Sequence, residues 1–528
     1  MMSHPCTITK DQIWLPFTCL AAVIAVFTTL SSAFAANTSD LWGESGERWN
    51  PRSRLPDFSY AGYHSGEKAI PTVTVKASVK DFGAKGDGKA DDTKALRDAI
   101  AKAKGGAIFL PAGRYKITGP IEIKKSNLVL RGAGQDSTVL FLARSLGEIL
   151  GDVPYWGGII RVTGEKKGSK LANVVARARR GDTRLRLLST AAIRAGQMVR
   201  LRMTNPQDNS LGRHLYADKG SLNAERRRWY AGRIVDWAVK VESVEGNTIN
   251  LVRPLRLDVR PEWKPQIWRH RPTVEEVGIE NLTIEFPNAQ YGGHHKEAGY
   301  HAVFFQDVFN SWVRNVTIVD GDTGIVISGG GYNTVADVTL KTRWRTGEKT
   351  SGETGHFGFC VTSLTQDNLI TDCQVQTTFV HNLSVNAFAN GNVYASITSQ
   401  SGRFDHHGAA PYENLYTDIV LTDLAWDLFM CGGNRADEPS SGARTTFWNI
   451  RKRKGKFPSR IPTLPDRNAK FPQINIIGID QWTTRKTAGE QWIEKWPGEQ
   501  TRPTNLYEAQ LEHRLRRKDD TPPRKHHP

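Results

Sequence analysis

The chain has 528 residues, of which 71 are Lys or Arg and 54 are Asp or Glu, a formal net charge of +17. Apolar residues make up 39% and the chain carries 15 Trp, 13 Tyr and 20 Phe. That is too apolar for a disordered chain, which lacks the surface to offset its ordering entropy, and too polar for a multi-span membrane protein. The 48 glycines follow no Gly-X-Y period, which excludes collagen, and the charge points to an anionic partner without choosing among nucleic acid, membrane surface and acidic polymer.

Residues 13–35 form an apolar run that closes on Ala33-Phe34-Ala35, the small-x-small pattern before a signal-peptidase cut. The alternative is an uncleaved anchor, because the run is long enough to span a bilayer. A signal peptide over 1–35 implies a secreted or periplasmic protein with no membrane contact after cleavage. Its removal takes Cys6 and Cys19 and leaves Cys360, Cys373 and Cys431. An odd number does not describe a disulfide framework, and the lack of any C-x-x-C pair argues against a zinc site.

Residues 36–70 are polar and turn-rich and are expected to form an extended lead-in rather than a packed element. Residues 71–160 read as a cap and first coils. Asp91 or Asp92 is an N-cap for a helix over 92–103, with Ala95, Leu96, Ala99, Ile100 and Ala103 on one face and Gly105-Gly106 as its stop. Strands are predicted at 107–110, 114–117, 121–123 and 127–130, between Pro-Ala-Gly and Gly-Pro turns. Residues 161–276 alternate like the strands of a separate small β module inserted into the series.

Residues 277–450 read as the main coils, and over 277–423 a repeat emerges in IENLTIEF, VRNVTIVD, VADVTLKT, ITDCQVQT, YASITSQS and YTDIVLTD. Aligning Asn281, Asn315, Asp337, Asp372, Ser396 and Asp418 gives steps of 34, 22, 35, 24 and 22. A propeller blade needs about 40–45 residues, whereas short β-branched strands at 22–24 suit a stacked parallel β-helix. The helix at 92–103 is placed to cap its open end, and the two long steps carry loops that can wall a groove. Residues 451–528 form a basic extension with a last strand at 474–479 and a loose tail from 501. Charge divides unevenly: +4 over 1–160, +13 over 161–276, −9 over 277–450 and +9 over 451–528. The positive charge belongs to the insertion and the extension, and the repeat is acidic.

The segment DFGAKGDGKADDTKALRDAI followed by GGAIFLPAGRYKI resembles the opening motif of the pectate-lyase-like superfamily. The resemblance covers about 50 residues and implies an all-β, right-handed parallel β-helix. It leaves the reaction open, because that superfamily holds lyases, hydrolases, epimerases and non-catalytic tailspikes. Within the motif, Asp81, Asp87, Asp91 and Asp92 read as capping and turn residues.

The densest set of chemical groups is SGRFDHHGAAPYEN, with Arg403, Asp405, His406, His407, Tyr412 and Glu413. β-Elimination on a uronic acid needs a base for the C5 proton and a cation or metal to neutralise the carboxylate. His406 or His407 is the candidate base and Arg403 the neutraliser; on an extended strand only one of the two histidines can face the groove. Asp320 and Asp322, at i and i+2, can share a face as an acid–base pair or as Ca²⁺ ligands. Their segment, and GHFGFCVTS with His356, resemble motifs of polygalacturonase-like hydrolases, although Phe357 stands where a Gly is expected and no Arg-Ile-Lys segment follows. His381, Arg435, Arg444 and Tyr412 are candidate substrate contacts.

The leading expectation is an exported lyase that cleaves a uronate-containing polysaccharide, with Ca²⁺ as the one cofactor considered. A glycoside hydrolase using carboxylates among Asp320, Asp322 and Asp405 is second. A non-catalytic glycan-binding β-helix is third. Nucleic acid is not an expected partner, because charge is its only support.

Overall fold

The computed structural model describes residues 36–343, 352–423, 428–429, 431–432, 438–453, 471–479 and 491–519. The expected signal segment and Arg435 lie outside them.

β-Branched and aromatic residues alternate along short strands, and each strand pairs in parallel with its counterpart one coil further on. The long sheet climbs from Val75–Ser78 through Leu128–Gly132, Val277–Glu285, Trp312–Val319, Thr334–Lys341, Val393–Ser399 and Leu415–Leu421 to Trp492–Glu494. A shorter, seven-stranded sheet runs through Ile121–Ile123, Ile160–Thr163, His301–Gln306, Thr323–Ser328, Phe357–Thr362, His381–Val385 and Phe404–His406. Single parallel bridges linking Glu275, Phe309, Gly331, Gln366, Asn390 and Tyr412 mark a third side. This is a parallel β-helix, wound in the right-handed sense that parallel crossovers take. Its interior is a continuous apolar column in which Tyr394, Tyr416 and Phe447 occupy one register row and stack, with ring centroids 5.0 and 4.8 Å apart.

The corners explain the repeat. Asn281, Asn315, Asp337, Asp372, Ser396 and Asp418 all adopt left-handed backbone, with φ between 50° and 58°. Asn and Asp tolerate that region better than other non-glycine residues, which is why they recur at the coil period. A second, buried corner is a ladder of asparagines. The Oδ1 atom of Asn368 accepts from the backbone N–H and the Nδ2 of Asn333, at 3.0 and 2.9 Å. Asn392 does the same for Asn368, and Asn414 for Asn392. Each amide thereby satisfies polar groups that the turn would otherwise bury unpaired.

The N-terminal helix spans Thr93–Lys102 and buries Ala95, Leu96, Ala99 and Ile100 against the first coils. Asp92 stands at the N-cap position, but its carboxylate turns away to accept from the Lys85 and Gly86 amides at 2.6 and 2.9 Å. Asp91 instead accepts from the Thr93 amide at 3.0 Å. The inserted segment forms a six-stranded antiparallel sheet with its own core, which also takes in Phe388, Ala409, Ala410 and Tyr412 from the coils. Buried ion pairs bind it there. Asp367 accepts from Arg253 and Arg256, and Glu413 from Arg180, Arg256 and Arg444.

Two expectations of loose chain are corrected. The lead-in has little regular structure, yet Leu41, Trp42, Leu55 and Phe58 are buried against the outer face of the long sheet. The tail forms a helix, Leu506–Asp519, whose Tyr507 hydroxyl donates to the Ala61 carbonyl at 2.9 Å. The lead-in and the last helix cover one another's apolar residues, a long-range pairing that local composition does not reveal. No described helix is long and apolar enough to cross a membrane.

Replacing Asn368 by Ala leaves the Asn333 amide and Nδ2 without their shared acceptor. Chemical denaturation is expected to show a loss of about 3 kcal/mol, the cost of one to two buried unsatisfied donors.

Candidate functional site

Strand register decides which histidine faces outward. Phe304, Val326, Cys360, Ser384 and Asp405 align in one row of the short sheet, and Phe305, Ile327, Val361, Val385 and His406 in the next. Phe305, Ile327, Val361 and Val385 belong to the interior column. His406 therefore points inward, fully buried, with its ring 4.8 Å from that of Phe471. This removes His406 as a candidate base. Asp405 points outward, and His407, just beyond the strand end, returns to its side.

Asp405 is itself sealed from solvent. It accepts from Ser384 Oγ at 2.5 Å and from the Gly432 amide at 3.0 Å, and lies 3.2 Å from His407 Nδ1 and 3.5 Å from His381 Nδ1. Desolvation pushes its carboxyl up, but the two imidazoles and these hydrogen bonds prevail and hold it well below the usual range. The anion fixes the His407 ring by Nδ1 and leaves Nε2 on the far side. Gly432 makes room for that ring: a Cβ there would lie 2.2 Å from His407 Cε1.

A second group adjoins the first. His356 Nδ1 is 2.9 Å from Glu297 Oε1, and its Nε2 is 3.2 Å from His294 Nε2. Glu297 also accepts from the Tyr291 hydroxyl and the His295 amide, both at 3.0 Å. Its carboxyl falls to about 2, because the His356 contact and backbone hydrogen bonds outweigh the desolvation that pushes it up. His381 lies between the two groups and is 1% exposed. Burial pushes its imidazole down to about 3 against the pull of Asp405. Tyr155, 46% exposed, stands edge-on to His356 with ring centroids 5.7 Å apart. From the inserted module, the helix Ala224–Trp229 brings Arg226, whose Nη2 donates to the His407 carbonyl at 3.3 Å.

The other sequence candidates are engaged elsewhere. Asp320 accepts from the Arg343 amide and Nε, at 2.7 and 2.6 Å. Asp322 accepts from the Gly299 and Tyr300 amides at 2.9 and 3.0 Å, so it shapes the loop that delivers His294 and Glu297. The two carboxylates therefore form neither an acid–base pair nor a calcium cage. Arg403 is 3% exposed and donates to the Val380 carbonyl and to Glu353. Arg444 is held by Glu413 and Gln473, and Tyr412 is sealed in the core of the insertion. Asp405, His407, His356 and His381 do come together. His294, Glu297, Tyr155 and Arg226 were missed, and the GGHHKE segment was the available signal for the first two.

His406 gives a pH test of its placement. Burial pushes its folded-state value down to about 3, against about 6.5 in an unfolded chain. Between these values the unfolded chain binds a proton that the folded chain refuses, so stability falls as pH drops from 6.5 toward 3, by about 1.4 kcal/mol per pH unit for this group. His406→Leu is expected to flatten that acid limb by one proton in denaturation curves measured across the window.

Two family profiles match parts of the chain. One, described as rhamnogalacturonase A/epimerase, pectate lyase-like, covers residues 77–153. The other, a domain of unknown function (DUF4955), covers residues 379–520 and so includes His381, Asp405 and His407. Alginate lyase 7 of Azotobacter vinelandii is 46% identical over 99 residues, 17% of this chain and 11% of that protein. Mannuronan C5-epimerase AlgE5 of the same organism is 46% identical over 74 residues, 12% of this chain and 7% of that protein. The matches thus span about a tenth or less of these relatives' length. Among solved structures, the tailspike protein gp49 of Pseudomonas phage LKA1 aligns over 80% of this chain and 73% of its own, at 14% identity and a TM-score of 0.46. The opening motif, residues 77–153, is thus similar to the pectate-lyase-like family, and the coils that follow it have the parallel β-helix fold.

Proposed function

We propose that the chain is an exported polysaccharide lyase that cleaves a uronic-acid polymer by β-elimination, with His407 as the base. The observation that carries this reading is the Asp405–His407 pair on the outer face of the short sheet. A buried carboxylate bound to Nδ1 sets the tautomer and leaves Nε2 to take a proton, the arrangement general-base catalysis requires. In the reaction His407 Nε2 takes the C5 proton of the uronate. The C–H electrons form the C4–C5 double bond, the C4–O4 bond breaks, and the departing oxygen is protonated. The Tyr155 hydroxyl is the donor assigned to that last step. Burial raises its pKa above the ordinary value, so it stays protonated. Its ring also offers a face for a sugar.

The hydrolase reading needs two carboxyls flanking the scissile bond. Asp320, Asp322 and Asp405 are all at most 4% exposed and bound to other groups, which favours elimination.

Incubation with pectate, alginate, rhamnogalacturonan and glucuronan tests the proposal. The expected product is an unsaturated uronate seen by its ultraviolet absorbance. New reducing ends without that absorbance would overturn elimination in favour of hydrolysis, and neither signal would favour the binder. On the substrate that responds, His407→Asn is expected to lower kcat by about a hundred- to ten-thousand-fold, whereas His406→Leu is expected to retain activity.

A further inference from the structure

Elimination on a uronate calls for positive charge at the carboxylate, and the arginine expected to supply it, Arg403, is paired with Glu353 and a main-chain carbonyl. Beside the Asp405–His407 pair, three imidazoles converge: His356 from just before the strand Phe357–Thr362, His381 from the start of the next strand, His381–Val385, and His294 from a neighbouring loop. One ring nitrogen from each of His294, His356 and His381 lies within 4.8 Å of the others. We propose that these three histidines bind one divalent transition-metal ion of the zinc class.

Three observations carry the proposal. First, Nε2 of His294 and Nε2 of His356 are 3.2 Å apart. Two nitrogens each about 2.0–2.1 Å from a tetrahedral zinc are separated by about 3.3 Å, so this pair already has the spacing of two ligands on one ion. Second, His356 is oriented from behind by Glu297, whose Oε1 is 2.9 Å from Nδ1. A carboxylate on the remote nitrogen that leaves the other lone pair to the metal is the usual second layer of a histidine–zinc site. Third, His381 is 1% exposed, and neither of its ring nitrogens makes a hydrogen bond. A buried imidazole without a partner is costly, and a metal gives one nitrogen a ligand bond while Asp405 faces Nδ1 at 3.5 Å.

The donor set selects the ion. Ca²⁺ takes six to eight oxygen ligands, whereas imidazole nitrogen suits zinc and its neighbours. Three protein ligands leave a fourth position open, as in catalytic rather than structural zinc sites. His294 is exposed at the rim, which gives an ion a way in. That the open position receives the uronate carboxylate rests on the elimination reading; the binding of the ion does not.

The test uses the tag-free full chain, stripped with EDTA and titrated with Zn²⁺ and, separately, Ca²⁺ by calorimetry. Co²⁺ loading supplies a visible absorption band of a four-coordinate site as a second readout. One equivalent of Zn²⁺ is expected, with no comparable uptake of Ca²⁺. His294→Gln, at an exposed position where folding is not at stake, is expected to weaken Zn²⁺ at least tenfold, and Glu297→Gln to weaken it by about ten- to a hundredfold. Failure to bind Zn²⁺, or binding that both variants leave unchanged, would overturn the site. Zinc bound as expected without elimination on any uronate would keep the site and overturn the catalytic reading. Full elimination by a chain shown to take up no zinc would do the reverse.

Discussion

The main-chain polar groups at the corners of each coil must be satisfied without water. Strand pairing serves the faces of the β-helix, but at the buried corner the N–H groups of Asn333, Asn368 and Asn392 find side-chain rather than main-chain acceptors. Asn333, Asn368, Asn392 and Asn414 form a side-chain ladder there, in which the amide oxygens of Asn368, Asn392 and Asn414 each take two donors from the coil before. An amide that must reach the next amide admits one register only. Every row of the short sheet inherits that register, including the one in which Cys360, Ser384 and Asp405 follow one another.

The candidate site follows from the stacking. His356, His381 and the Asp405–His407 pair come from three successive coils, so residues 25 and 26 positions apart in sequence become neighbours through the rise of the β-helix. The loop carrying His294 and Glu297 is brought alongside by Asp322, which spends its carboxylate on two backbone amides of that loop. A residue that reads as an acid in isolation thus acts as a turn-former that places other groups.

The basic insertion has a similar twist. It carries much of the charge that pointed to an anionic partner, yet Arg180, Arg253 and Arg256 are consumed in buried pairs with Asp367 and Glu413. A buried charge stripped of its partner is strongly destabilising, so these arginines are bound to the acidic coils rather than to a ligand. Part of the opposite net charge of the two segments is thus taken up where they meet. The same interface sets Arg226 and Glu438 against the loop that bears His407.

Several features were legible in the sequence for physical reasons. Alternation at period two, the Asn and Asp spacing at left-handed corners, and the amphipathic helix at Thr93–Lys102 are local effects of backbone sterics and burial. They determined the class of fold, the first strands and the rule that His406 and His407 could not both face outward. The direction of that alternation depends on which row lines the interior, and only the tertiary structure decided it. The same holds for the fate of Arg403, Arg444 and Asp320, whose partners come from other coils, of Tyr412, which packs into the insertion, and for the covering of the lead-in by the last helix. Cysteine spacing argued against zinc, but three histidines spread over residues 294–381 carry no spacing signal at all. A metal-ligand set drawn from stacked coils is written in the pitch of the helix, not in the order of the chain.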